Sequence, residues 1–310
     1  MNQFLKKFIP IFTLLFFTFS CSDIENSTVQ KATIQSENEV SKSDFSSLSQ
    51  NLNKYIETSQ LPSISALVIR KGEMIYNEKF GVQNLETQVP ISDKTIFRLA
   101  SLTKPVVSVG ILKLMDEGKI NFEDSVEKYL PFFEKITVFK TTEKSKNTMT
   151  IRQLLTHTSG ISSSFEQDEV GQMFRDMTGK TGAENLEEYV QAIANIPLCA
   201  EPGTKFTYSH STDVLALIIE KVSGQRVDEF LKEKLFELLE MRTTDYLVHE
   251  ENLENFASLY GLDEDGKLID IDENSKSSYV TGNFPRGNSG LVSTISDYAK
   301  FAQMLLNNGN

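Results

Sequence analysis

Two β-rich runs, "ISALVIR" (64–70) and "MIYNEKF" (74–80), stand three residues apart, and most of the chain after them has a helical pattern. The "KGE" between them reads as a hairpin turn. Such a hairpin is marginal by itself and needs further strands to make a sheet. The fold must therefore be an α/β mixture in which a small antiparallel element is supported from elsewhere in the chain.

The helical segments carry their own punctuation. Phe45, Leu48, Leu52 and Ile56 fall at helical intervals ahead of the hairpin and predict an amphipathic first helix. An apolar helix is predicted from about Leu102 to Glu117, stopped by Gly118. In "TIRQLLTHTSG", Thr150 and Gln153 have capping-box spacing and Gly160 ends the segment. "TDVLALIIEKVSG" places Leu215, Ile218, Ile219 and Val222 on one face before Gly224. "VDEFLKEKLFELLEM" predicts another helix, and "STISDYAKFAQMLLNNG" a last one with Ser296 as its N-cap.

With 310 residues, 39% hydrophobic and 24% charged, the chain can bury a sizeable core as one large domain or two smaller ones. Its net charge of −12 repels nucleic acid and anionic lipid, so neither is an expected partner. Residues 1–20 pair a short basic region with an apolar run too short for a confident spanning helix, and read as a secretory signal. "TFSC" then resembles a bacterial lipoprotein cleavage box, with Thr18 where Leu is usual. Lipidation at Cys21 is the expectation, and 22–43 is a polar tether with no sustained apolar period. A disulfide from Cys21 to Cys199, the other cysteine, is open but has no motive. The folded domain is expected over 44–310, in the periplasm or cell envelope, with a lipid anchor as the membrane attachment.

In "FRLASLTKPVV", Ser101 and Lys104 lie at i and i+3 at the start of the apolar helix, so they share a face. A serine hydroxyl is a weak nucleophile until a neighbouring base takes its proton. Lysine serves as that base when burial lowers its pKa, and a helix N-terminus pushes the same way. The spacing alone decides nothing, because Ser125 and Lys128 in "EDSVEKYLP" share it in a charged setting that reads as a solvated turn. Three histidines and two cysteines, scattered along the chain, offer no zinc-type cluster, and no glycine-rich stretch has phosphate-loop spacing. No cofactor is implied.

"SLTK", preceded by "IFRLA" and followed by proline, resembles the active-site segment of the serine β-lactamase-like family. That family groups class C β-lactamases, penicillin-binding D-alanyl-D-alanine peptidases and esterases. "TIRQLLTHTSGI", "EPGTKFTYSHSTDVLALIIEKVSG" and "GLVSTISDYAKFAQMLLNNG" resemble further family blocks in the same order, from about Phe45 to the last residue. The resemblance implies a β-lactamase/transpeptidase-like α+β fold, an antiparallel sheet flanked by helices plus an all-helical region. It makes Ser101 the acylated nucleophile and Lys104 its partner. Tyr208, in the Tyr-x-Asn position, becomes the proton carrier, since a neighbouring cation favours phenolate. His210 stands where the family has asparagine; it either contacts substrate or only fills space and caps the next helix. His157 reads as a structural histidine.

The family's third motif, Lys-Thr-Gly or His-x-Gly on a strand well after "QMLLN", is not seen before Asn310; Lys180-Thr181-Gly182 lies too early and in the helical block. The expectation is a chain without the C-terminal strands, from a gene fragment or an interrupted frame. Losing one oxyanion donor typically slows such enzymes ~100-fold to ~1000-fold. The implied function is hydrolysis of an ester or amide through an acyl-serine intermediate, leaning to esters. The alternatives are a D-alanyl-D-alanine carboxypeptidase, a class C-type β-lactamase, or a non-catalytic envelope lipoprotein. Substrates to consider are a small ester, a β-lactam or a cell-wall peptide.

Overall fold

The computed structural model describes residues 45–141, 143–272, 278–281 and 284–309. The expected signal and tether, and Cys21, lie outside the described residues. The hairpin forms as β1 (Ser63–Arg70) and β2 (Glu73–Gly81), antiparallel, with Ser63 opposite Gly81 and Arg70 opposite Glu73. Its loop is shorter than the three residues expected. Lys71 and Gly72 both have positive φ, +51° and +83°, as a two-residue turn matched to strand twist requires, and Glu73 joins β2. Helix α1 (Ser46–Glu57) covers the hairpin. At its start the Phe45 ring lies 4.9 Å from that of Tyr76, and Ser49 Oγ is 2.9 Å from the Tyr76 hydroxyl.

The core is helical. α2 (Thr103–Asp116) ends at Gly118, whose φ of +70° supplies the stop. α3 (Ile151–Leu155) has the predicted Thr150–Gln153 capping box. α4 (Glu169–Lys180) and α5 (Leu186–Ala194) begin at Asp168 and Asn185, whose side chains accept N–H groups of the first turn. α6 (Ser211–Ser223) corrects the one-faced expectation, because every residue from Ser211 to Ile219 is buried. The reason is position: α2, α3, α5 and α7 (Val227–Leu231) pack around the helix, and water reaches only its last turn, where Lys221 is exposed. The segment after α7 does not continue as a plain α-helix but widens into a π turn over Lys232–Phe236.

Short strand pairs tie distant parts together. β3 (Phe97–Arg98) is defined by its partner β6 (Val292–Ser293), and β4 (Tyr260–Leu262) pairs with β5 (Leu268–Asp270). Arg98 anchors the second pair's region. Its guanidinium lies 4.0 Å from the centre of the Phe256 ring, donates to the Ala257 carbonyl at 2.7 Å and is ion-paired with Asp272. A cation stacked and paired in this way holds the 256–272 excursion against the strand that leads to Ser101.

The last helix, α8 (Ile295–Leu306), is capped by Thr294, not by Ser296. Thr294 is extended and its hydroxyl accepts the Asp297 N–H at 3.2 Å; Ser296 is already inside the first turn. Thr294→Ala should therefore destabilise the protein by about 1 kcal/mol, while Ser296→Ala stays within about 0.5 kcal/mol of wild type. Urea denaturation of the two variants checks this, and the reverse order would return the cap to Ser296.

Candidate active site

Ser101 is delivered by a change of backbone regime. Directly after β3, Leu99 donates its N–H to the Leu291 carbonyl at 2.8 Å, and the next residue, Ala100, turns left-handed with φ +44°. A left-handed alanine costs about 1–2 kcal/mol relative to right-handed backbone. It is followed by a tight 3₁₀ turn, Ala100–Leu102, that runs directly into α2. Ser101 is thereby exposed at the N-terminus of a buried helix, where the positive end of the peptide dipoles favours a developing oxyanion.

Lys104, one turn on, donates to Ser101 Oγ at 3.2 Å and to the Asn288 carbonyl at 2.7 Å. Tyr208, just before α6, donates its hydroxyl to Ser101 Oγ at 2.8 Å. Lys104 Nζ also lies 4.7 Å from the centre of the Tyr208 ring. Two side chains more than a hundred residues apart in the sequence thus converge on the Ser101 oxygen. A serine held by a phenol and an ammonium can lose its proton along either hydrogen bond when that partner is in its basic form.

Among the described residues of the predicted set, His210 is the one that the structure does not bring to Ser101. Its ring turns inward, 6% exposed, and stacks on Phe174 at 5.2 Å with planes 3° apart. Its Nδ1 lies 2.9 Å from an Asp213 carboxylate oxygen and 2.9 Å from Asn288 Nδ2. It occupies the N-cap position of α6 without a side-chain capping bond.

The remaining sequence candidates separate cleanly. Lys128 pairs with Asp124 at 3.1 Å on the surface, so the second Ser-x-x-Lys spacing is a solvated turn. Lys180 is exposed at the end of α4 and takes no part in the contacts at Ser101. Cys199 is a free thiol 3.6 Å from the Thr207 hydroxyl.

Two contributors escape sequence reasoning. The first is the backbone of Asn288, whose carbonyl holds Lys104 and whose N–H donates to Asp213 Oδ1 at 3.0 Å. Asp213 is fully buried in the first turn of α6, so this loop is moored to the same helix that follows Tyr208. The second is His157, whose ring lies 5.0 Å from that of Tyr208 and whose Nδ1 accepts the Ser209 N–H at 3.2 Å. Burial, and then the Lys104 charge, push His157 down to about 4, so it is neutral at ordinary pH. The one available hint was the left-handed tolerance of histidine directly before "TSG". Among the described residues no group of His, Cys, Asp and Glu side chains is gathered to hold a metal ion.

The family model for β-lactamases matches residues 48–310. The chain belongs to the β-lactamase family. Relatives within it include the esterase EstB of Burkholderia gladioli, 28% identical over 251 residues, covering 75% of this chain and 62% of that protein. Protein Rv1367c of Mycobacterium tuberculosis is 27% identical over 266 residues, covering 84% and 66% respectively. The chain spans about two thirds or less of the length of these relatives. Among solved structures, EstCE1, a hydrolase with promiscuous acyltransferase activity, superposes with a TM-score of 0.74 at 24% identity over 87% of this chain and 74% of that one. The octameric penicillin-binding protein homologue of Pyrococcus abyssi gives 0.69 at 27% identity over 86% and 57%. The β-lactamase/transpeptidase-like fold expected from the sequence is the fold of this chain.

In this β-lactamase-family site, the Asn288 loop fits tightly. A Cβ added to Gly287 would meet the Thr212 carbonyl oxygen at 1.9 Å, a backbone atom that cannot move aside. Gly287→Ala should destabilise the protein by ~1–3 kcal/mol and displace the carbonyl that holds Lys104. Melting temperature and any ester turnover should fall together; a variant unchanged in both would show that the loop is not seated on α6.

Proposed function

We propose that the protein is a serine hydrolase that cleaves a small ester through an acyl-Ser101 intermediate. The observation that carries this reading is the pair of hydrogen bonds on one hydroxyl, 2.8 Å from Tyr208 and 3.2 Å from Lys104, at a helix N-terminus. Ser101 Oγ attacks the carbonyl carbon as its proton passes to the nearer partner, Tyr208, reacting in its phenolate form, which becomes the phenol. Lys104, tethered to the Asn288 carbonyl, stays charged beside the phenol. As the tetrahedral intermediate collapses, the alcohol oxygen takes the proton from Tyr208 and leaves. Water then enters, gives its proton to Tyr208 and attacks the acyl carbon, and Ser101 recovers its proton as the acid departs.

Three features support an ester over a peptide or β-lactam. His210 stands at the position where the family amide would be, and its ring is buried against Phe174. Leu102 and Phe206, next to Ser101 and two residues before Tyr208, are 42% and 53% exposed and offer apolar surface to an acyl or alkyl group. EstB, an esterase, is among the relatives. The reading extends to location: a secreted protein, held at the cell envelope by a lipid on Cys21.

A fluorophosphonate probe should label the wild type and not Ser101→Ala, and short-chain esters should turn over without acylation by fluorescent penicillin. Labelling by penicillin alone would move the assignment to a peptidase or β-lactamase. Labelling by neither, in folded protein, would remove the hydrolase reading. For the anchor, Cys21→Ser should shift the protein from the membrane to the soluble fraction; unchanged fractionation would rule out lipidation there.

A further inference from the structure

We propose that His157 is the positioning residue for Tyr208, seating the phenol hydroxyl on Ser101. The proposal rests on the serine hydrolase reading for its kinetic consequence but not for its geometry.

Tyr208 belongs to a stretch, residues 205–209, with neither helix nor strand. No ladder of backbone bonds fixes its direction, so something else must. One residue supplies that hold on both sides. The His157 carbonyl accepts the Thr207 N–H at 2.8 Å, and the His157 ring Nδ1 accepts the Ser209 N–H at 3.2 Å. The two neighbours of Tyr208 are thereby tied to a single residue, and that residue's ring lies against the phenol ring, 5.0 Å between centres and tilted by 31°. With Lys104 Nζ 4.7 Å from the same phenol ring, Tyr208 is confined by a neutral ring and a cation.

The hold on Ser209 continues inward. The Ser209 hydroxyl lies 3.2 Å from His157 Nδ1 and 2.7 Å from the Ser211 hydroxyl, which lies 2.8 Å from that of Ser159. The three serines are at most 2% exposed, and the chain of hydroxyls ends at the Ile161 N–H, which donates to Ser159 Oγ. It stitches the 157–161 turn to the first residue of α6, so the imidazole is itself braced from behind.

The same contacts decide the tautomer. A backbone N–H aimed at Nδ1 requires a lone pair there, which places the ring proton on Nε2. Lys104 from α2 and Tyr208 are the titratable groups set against the ring among the described residues, and the cation opposes a second proton, in agreement with the lowered His157 value of about 4. The backbone asks for this residue type too. With φ +54° at 157, asparagine and histidine are tolerated better than most non-glycine residues.

Three substitutions separate seating from mere support. His157→Asn keeps an acceptor close to the Nδ1 position and tolerates the left-handed backbone; His157→Gln places its amide beyond it; His157→Ala removes both ring and acceptor. With a short-chain ester, His157→Ala and His157→Gln should lose ~100-fold in kcat with KM within about threefold of wild type, and His157→Asn should recover part of the loss. Where His157→Ala does not fold, the Asn and Gln pair carries the comparison. Imidazole ¹⁵N spectra of the wild type should show one histidine with an unprotonated Nδ1 and a protonated Nε2 still holding at pH 5–6. Wild-type kcat in a folded His157→Gln, a rise in KM alone, or a doubly protonated His157 at pH 6 would overturn the proposal. Were the wild type to show neither probe labelling nor turnover, the hydrolase reading would fail by itself. The seat would then be judged on the ¹⁵N tautomer and on crystal structures of the wild type and His157→Gln. An unmoved Tyr208 hydroxyl in that comparison would refute it.

Discussion

Everything at the site depends on the packing of α2 against α6. Ser101 enters α2 from its N-terminal side, and Tyr208 precedes α6 by three residues, so the contact between serine and phenol is set by how these helices lie on one another. Both helices lie in one apolar core: Val106, Val107, Ile111 and Leu114 on α2, and Val214, Leu215 and Ile218 on α6, are all 0% exposed. Each such side chain contributes about 1.5–3 kcal/mol relative to exposure. Gly110 lets the backbones approach, since a Cβ there would stand 2.9 Å from the Ile219 side chain. Close-packed interiors deform little, which is what a hydrogen bond of 2.8 Å across more than a hundred residues needs.

On this rigid base Ser101 and Tyr208 are held by backbone that is not regular. Ala100 and His157 are both left-handed, with φ +44° and +54°, and each stands directly at the site: one before Ser101, the other against the Tyr208 phenol. Such backbone persists when the surroundings over-determine it. Here the surroundings are identifiable. Leu99 is bonded to Leu291 on one side of Ala100, the buried α2 follows on the other, and His157 is tied to the 207–209 segment.

Sequence reasoning reaches the parts of this design that are written in periodicity and local chemistry. The hairpin, α1, α2, α6, the Thr150–Gln153 box and the Ser101–Lys104–Tyr208 group are readable because spacing, turn residues and family motifs all lie within short windows. β3 and β6 are not, because two residues carry no period and exist as strands only through each other. The burial of α6 from Ser211 to Ile219 is hidden for a related reason: a pattern that fits one apolar face says nothing of polar residues such as Ser211 and Asp213 being buried by neighbours and satisfied by hydrogen bonds. The Asn288 contribution is a backbone carbonyl, and a backbone atom leaves no mark in a sequence. The cap of α8 illustrates the limit at short range, since Thr294 and Ser296 are equally good residues and only the strand that ends at Ser293 decides between them.

Asp213 shows how the helix pair and the irregular site are joined. A fully buried carboxylate is costly unless its oxygens are satisfied. One oxygen takes the Asn288 N–H and the other faces His210 Nδ1, so the charge is met by a loop amide and an imidazole rather than by water. That arrangement explains the inward ring of His210 without a substrate: the histidine completes the environment of Asp213, and Phe174 and Tyr189 close over it. It also explains why Lys104 has a fixed direction. The Asn288 carbonyl that receives Lys104 belongs to the residue whose N–H Asp213 holds, so the ammonium is aimed, through one peptide unit, by a carboxylate in the first turn of α6. The same helix therefore sets both partners of Ser101, the phenol through the segment that leads into it and the ammonium through the loop it captures.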